Sequence, residues 1–395
     1  MQLLAARTVL FSISDSDMAK EAIQSRQERV FSKTYAVVFM FLLGLPLLSL
    51  PFFTDSERTS EKRTPVAFPS LSSDYGEFSR AFEAWFEDHF GFRAAMIRFY
   101  RQSRFELGLL DSMNNVVRGK EDWLYYSGGG GGDSVQAYAG ANAFSENELG
   151  RLHLYFETWG TWLEGQGITF LVLVGPDKVS VYPEFLPNRI EKSPYGTRVE
   201  DFLVRMSESD FSIVFPIDEL IEAKIGGSQL YYKLDTHWNA KGMFVAYDAL
   251  AEKLPKSNRL SVNDVQFVGS DRLGGDLAEM LGVESDWGDP TYSVVLNRGN
   301  WAINEGDREV LGKTVDRFSI DDSTLPKALV FHDSFMEPMK NLLAGHFRET
   351  NFLADKPLDS ALVLELQPDV VIVEFTERSL YTHLRKPLPI GEGGQ

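Results

Sequence analysis

The chain has 395 residues, 44% hydrophobic and 24% charged, with a formal charge of −18 and no cysteine. That length suits one large α/β domain or two ordinary ones, and the composition is that of a folded protein. The acid excess excludes a general nucleic-acid binder, which needs a basic face. The missing cysteines exclude thiolate catalysis, disulfides and cysteine metal sites.

Residues 1–34 read as a short mixed-charge helix with no assigned chemistry. Residues 35–53, YAVVFMFLLGLPLLSLPFF, carry no charge. At about 1.5 Å per residue such a run spans a hydrocarbon core of about 30 Å. A soluble core helix would show a polar face, and no small-x-small cleavage site follows before Thr54, so an uncleaved signal-anchor is expected. Arg26, Arg29 and Lys33 precede the run, and Asp55 and Glu57 follow it. The positive-inside rule then keeps residues 1–34 in the cytoplasm and puts the rest outside, in the periplasm of a Gram-negative cell, as a single-pass inner-membrane protein.

Residues 54–75, rich in Ser, Thr, Pro and charge, predict a linker, and residues 76–395 a single exported domain. Aromatics Phe78, Phe82, Trp85, Phe86, Phe90 and Phe92 fall at helical spacing within 74–110, as a packing stripe rather than a ligand platform. Residues 116–126 alternate as strand around a turn at Gly119-Lys120-Glu121-Asp122. The glycine run 128–132 predicts a surface loop; it lacks the Lys-Ser/Thr of a phosphate-binding loop, and no cofactor is expected.

A βα alternation follows. Residues 145–166 predict a helix with Ser145 and Glu148 as a capping box. Residues 168–174 form an apolar run ending in Gly175-Pro176, the pattern of a strand buried on both faces. Helices are expected at 198–207, 241–253 and 336–347, and strands at 211–217, 328–331 and 369–375. Alternation of this kind predicts a mostly parallel sheet covered on both faces, with working groups at the strands' C-terminal ends.

Two segments offer chemistry. Asp235-Thr236-His237-Trp238 puts a carboxylate two residues before an imidazole, close enough to orient it. Phe331-His332-Asp333-Ser334-Phe335 puts a serine after an apolar strand, ahead of a helix whose N-terminal N–H groups could hold an oxyanion. Serine needs a base, and the base needs an acid to fix its tautomer; Asp235, His237 and Ser334 supply all three for acyl transfer. Each segment alone reads equally well as a capped turn. His332 points away from Asp333 by strand alternation and is a poor base. A zinc reading of Asp235, His237 and a further histidine lacks an HExxH pattern, and no metal is expected.

Asp235-Thr236-His237-Trp238 resembles the Asp-x-His-Trp motif of the alginate O-acetyltransferase family, the AlgJ and AlgX type, with a permuted SGNH hydrolase-like fold. Phe82-Glu83-Ala84-Trp85-Phe86, Gly119-Lys120-Glu121-Asp122-Trp123, Pro176-Asp177-Lys178, Gly275-Asp276-Leu277, His332-Asp333-Ser334 and Pro368-Asp369-Val370 are similar as well, so the likeness spans about 55–385. The resemblance implies an α/β domain behind one N-terminal transmembrane helix, with Asp235 as orienting acid, His237 as base and Ser334 as nucleophile. It implies a polysaccharide acceptor and a membrane-embedded acyltransferase as acetyl donor. Arg93, Lys178 and Trp238 are candidates to line the glycan groove. His332 stands where SGNH enzymes usually have glycine, and the carbohydrate-binding module appended to AlgX-type members is not expected. An acetylesterase with the same triad and a non-catalytic scaffold of an export complex remain the competing readings.

Overall fold

The computed structural model describes residues 32–42, 44, 66–70, 75–89, 96, 99–100, 103–104, 115–128, 132–254, 259–284, 287–297, 301–354 and 357–386. Two compact units emerge, residues 1–100 and 101–395. In the first, helix Tyr75–His89 carries part of the aromatic stripe, and Phe68 packs edge-on against Phe82 and Trp85 at ring distances of 6.3 and 4.9 Å. Residues 35–42 are helical and exposed. Residues 43 and 45–53 of the expected anchor, most of the expected linker, and Arg93 lie outside the described residues. Among the described residues no helix is long and apolar enough to cross a membrane.

The second unit is built on strands β1 (Val116–Arg118), β2 (Leu124–Tyr126), β3 (Thr169–Gly175), β4 (Ser212–Val214), β5 (Val265–Leu273), β6 (Gly288–Leu296), β7 (Ile303–Val310), β8 (Lys313–Ser319), β9 (Lys327–His332), β10 (Glu349–Ala354) and β11 (Val370–Thr376). Seven of them form one sheet in the order β4-β3-β11-β9-β10-β8-β7. The first five are parallel to one another, while β8 runs antiparallel to β10 and β7, at the edge, antiparallel to β8. The sheet is therefore mixed, which corrects the mostly parallel expectation. The cause is local: β7 and β8 are joined by a tight turn in which Leu311 and Gly312 both have positive φ (50° and 73°), and a two-residue hairpin makes its strands antiparallel.

The apolar runs are explained by two-sided burial. Along β3, Leu171 and Leu173 face one core, while Phe170, Val172 and Val174 face the other. Strands β9 and β11 divide the same way: Ala328, Val330 and Ile372 lie on one side, Leu329, Phe331 and Val373 on the other. Met243 and Tyr247 of helix Ala240–Ala251 and Leu342 of helix Lys340–Ala344 cover the first face. Phe156 and Trp159 of helix Glu146–Gly165, Phe202 of helix Arg198–Arg205 and Leu362 of helix Ser360–Leu366 cover the second. The Ser145–Glu148 capping box forms as expected.

Three expectations change. The strand expected over 211–217 closes at Val214, because Pro216 fixes its own φ and caps helix Ile217–Ile225. The helix expected over 336–347 is a 3-10 turn, Glu337–Met339, followed by helix Lys340–Ala344. The two-stranded ribbon β5–β6 and helix Asp276–Leu281 form where no element was expected.

Candidate active site

The C-terminal ends of β3, β9 and β11 open at one edge of the sheet, as parallel register requires. Gly175 at the end of β3 lies so close to the segment after β9 that a Cβ there would stand 3.1 Å from the Phe335 ring and 3.4 Å from that of Trp238. Trp238 is fully buried, its ring against Phe335 and its Nε1–H donating to the Phe335 carbonyl at 3.1 Å. It thus joins the loop of the acid and base to that of the serine.

The first loop, residues 231–238, is closed on itself. Tyr231 bridges Trp238, the His237 carbonyl accepts from Tyr232 N–H at 3.2 Å, and Asn239 then caps helix Ala240–Ala251 through the N–H groups of Lys241 and Gly242. Within the loop, His237 Nδ1 lies 2.6 Å from Asp235 Oδ1, and His237 Nε2 lies 2.8 Å from Ser334 Oγ. Burial pushes the Asp235 carboxyl up. The hydrogen bonds and charge of His237, with the charge of Arg272, outweigh that and hold it well below the ordinary carboxylate range. An ionised carboxylate only accepts, so Nδ1 carries the imidazole proton and Nε2 is left to accept from the serine hydroxyl. Ser334 itself is exposed, open to an incoming ester.

Asp235 is satisfied on both oxygens. Oδ1 also takes the His237 backbone N–H at 3.0 Å; Oδ2 takes Arg272 Nη2 at 2.7 Å and the Asp276 N–H at 3.2 Å. Asp276 in turn accepts the Thr236 N–H at 2.7 Å and the Thr236 hydroxyl. Arg272 is the penultimate residue of the ribbon strand β5 and Asp276 starts the helix after Gly274-Gly275, so one short segment grips the acid from its far side. Gly275 has φ 151°, and a Cβ on it would sit 2.4 Å from the Leu234 carbonyl oxygen. Backbone cannot yield as a side chain does. Gly275→Ala is expected to cost about 2 kcal/mol in stability. It is also expected to slow acyl transfer about a hundredfold by displacing the acid. Thermal unfolding and ester turnover measured on the same preparation check both.

Lys178, which opens the short helix Lys178–Val181 just after β3, is buried beneath this loop. Its ammonium donates to the carbonyls of Tyr232, Lys233 and Asp235 at 3.0, 3.0 and 2.7 Å. Burial pulls the Lys178 ammonium down to about 7, opposed by the charges of Asp276, Asp235 and Asp289. The ammonium's three protons are matched by the three carbonyls, so Lys178 organises the loop and offers no proton to the cavity.

The serine turn is fixed from below. Asp333 accepts the Phe335 N–H at 2.9 Å and the Thr376 N–H of β11 at 2.8 Å, and its own N–H donates to Glu374 at 3.1 Å. Burial and the neighbouring Asp333 push the Glu374 carboxyl well above its ordinary range. The Phe335 N–H is thereby engaged, and the short helix after Ser334 begins only at Lys340, so the expected long helix N-terminus does not stand behind the serine. His332 donates from Nδ1 to the Asp333 carbonyl at 2.7 Å, and burial lowers its pKa.

Asp235, His237 and Asp276 bring ligand atoms within 4.8 Å of one another, the one such group among the described residues. An ion there would have to take His237 Nδ1 from Asp235 and tolerate the Arg272 guanidinium beside the same carboxylate. Of the expected residues the structure gathers Asp235, His237 and Ser334 at one mouth, with Trp238 and Lys178 behind them. Arg272 and Asp276 were not singled out as site residues. The double glycine before Asp276 was the available signal; Arg272 had none, since it meets Asp235 across 37 positions.

Residues 116–304 match the family described as SGNH hydrolase-like domain, acetyltransferase AlgX. A protein of Pseudomonas putida named "Probable alginate O-acetylase AlgJ" is 23% identical over 374 residues, 89% of this chain and 90% of that one. Its namesake in Pseudomonas fluorescens is 25% identical over 193 residues, and there the chain spans 46% of the relative's length. In fold, the chain is similar to Bacillus cereus PatB1 solved with a sulfonyl adduct, at a TM-score of 0.52 and 14% identity, covering 70% of this chain and 98% of that one. The family match and these relatives point to one likeness, to the AlgJ/AlgX-type, SGNH hydrolase-like family.

Proposed function

We propose that this protein is an O-acetyltransferase that modifies hydroxyls of a secreted polysaccharide through an acetyl ester on Ser334. The observation that carries the reading is the unbroken line from Asp235 to His237 to Ser334, at 2.6 and 2.8 Å. Ser334 Oγ attacks the donor's carbonyl carbon as its proton passes to His237 Nε2. The tetrahedral intermediate collapses, the bond to the donor breaks, and the leaving group takes that proton. A sugar hydroxyl then attacks the acetyl-serine and gives its proton to His237, and the serine oxygen leaves with it. Asp235 orients the imidazole and stabilises its charged form throughout. The uncharged run 35–53 supports an anchor, a periplasmic catalytic part and a membrane partner that hands acetyl groups outward.

The test is a rapid acid quench of the purified protein with 4-nitrophenyl acetate, followed by peptide mass analysis. One acetyl group is expected on the peptide holding Ser334, and none in Ser334→Ala, whose turnover falls on the order of 10⁴-fold. A Ser334→Ala protein that still acetylates polymer at full rate overturns the reading in favour of a scaffold. Acetate release unchanged by any sugar acceptor favours an esterase.

A further inference from the structure

Beside Ser334 an open cavity of about 580 Å³ lies under the β5–β6 ribbon. Its titratable lining is Asp235, Asp276, Glu279 and Glu284 against a single guanidinium, Arg272, besides His237 and the tyrosines Tyr232 and Tyr292. Arg272 is committed: it donates to Asp235 at 2.7 Å and lies over the Tyr232 ring at 4.8 Å. Lys241 lies over the Tyr292 ring at 4.1 Å, and Lys178 is consumed by three carbonyls beneath the loop. With Asp235 and Arg272 paired to each other, the three carboxylates of Asp276, Glu279 and Glu284 outnumber the one ammonium beside them, Lys241, and leave the acceptor's path negative.

We infer that the acceptor of this site is a glycan without acid groups, neutral or amine-bearing, and not a polyuronate. The inference rests on the transferase reading above, and it separates this chain from relatives named for alginate, a polymer of uronic acids. In a polyuronate every ring carries a charge, so several would fall inside the roughly 8 Å over which like charges still repel at physiological ionic strength.

The test compares β-1,4-linked manno-oligosaccharides with oligomannuronate of the same length, which differ at C6 and in nothing else. Full-length protein in detergent is given 4-nitrophenyl acetate and an equimolar mixture of the two at low salt, and acetylated sugar is measured by mass. Acetylation of the neutral oligomer is expected to exceed that of the uronate at least about tenfold, and added salt is expected to narrow the gap. Equal or greater acetylation of the uronate overturns the inference, whereas nitrophenol release with neither oligomer acetylated counts against the transferase reading. Absence of nitrophenol release counts against the transferase reading instead. Equilibrium dialysis of both oligomers against the Ser334→Ala protein then decides: preferential binding of the neutral one supports the inference, and equal or stronger binding of the uronate overturns it.

Discussion

Asp235→Asn is expected to lower kcat for acetyl transfer on the order of 10⁴-fold, with the fold retained. Asparagine is nearly isosteric with aspartate, but its two ends are no longer alike. Arg272 demands an acceptor, so the amide oxygen turns to the guanidinium and the amide NH₂ turns to His237 Nδ1. Nδ1 must then accept, the ring proton moves to Nε2, and Nε2 can no longer take the proton of Ser334. The outcome is read as ester turnover beside a thermal unfolding curve. Acid titration of stability gives a further mark. Because the folded Asp235 carboxyl is held low, its contribution is complete above the unfolded value of about 3.9 and is lost as pH falls through the folded one. The asparagine protein lacks that component. Turnover within a few-fold of the unmodified protein would refute the role of Asp235.

Lys178→Met is expected to destabilise the protein by about 3 kcal/mol and to slow turnover about a hundredfold, although Lys178 never reaches the reacting atoms. Methionine keeps the length and removes the three donors. The carbonyls of Tyr232 and Asp235 are left unpaired, at about 1–3 kcal/mol each when buried, while that of Lys233 keeps the Leu124 N–H; the loss is partly offset because no ammonium has to be desolvated. The loop that carries both acid and base then loses its floor. Lys178→Arg is expected to fail as a rescue, because a planar fork does not fit three converging carbonyls. Chemical denaturation gives the stability and steady-state ester hydrolysis the rate. Unchanged turnover in a destabilised Lys178→Met protein would show that the lysine supports the fold alone.

Much of the sheet could be read from residues 168–174, 328–331 and 369–375, because a strand buried on both faces has to be apolar throughout. The edge hairpin could not. INEGDREV is charged and mostly exposed and KTVDRFS buries only Val315 and Phe318, so their pairing rests largely on a turn and on backbone bonds, which leave a faint mark on composition. The ribbon β5–β6 escaped for the same reason. At the site, Asp235 and His237 were legible because they are neighbours in sequence, and Ser334 because it follows a buried strand. Arg272 was not, since its partner is set by tertiary folding. Lys178 looked like a groove residue by type; only its depth shows that its charge is turned toward the backbone.

Acid and base share one loop, and nearly everything that holds the loop (Lys178 below, Arg272 and the Asp276 segment beside it) acts on the two together. A small displacement of the loop therefore carries the pair along as a rigid unit and leaves the 2.6 Å contact unchanged. The serine belongs to a separate turn, tied down by Asp333 to β11. The machinery has a single soft coordinate, the gap between the imidazole and the hydroxyl, and the Trp238–Phe335 contact is the spring that sets its rest length.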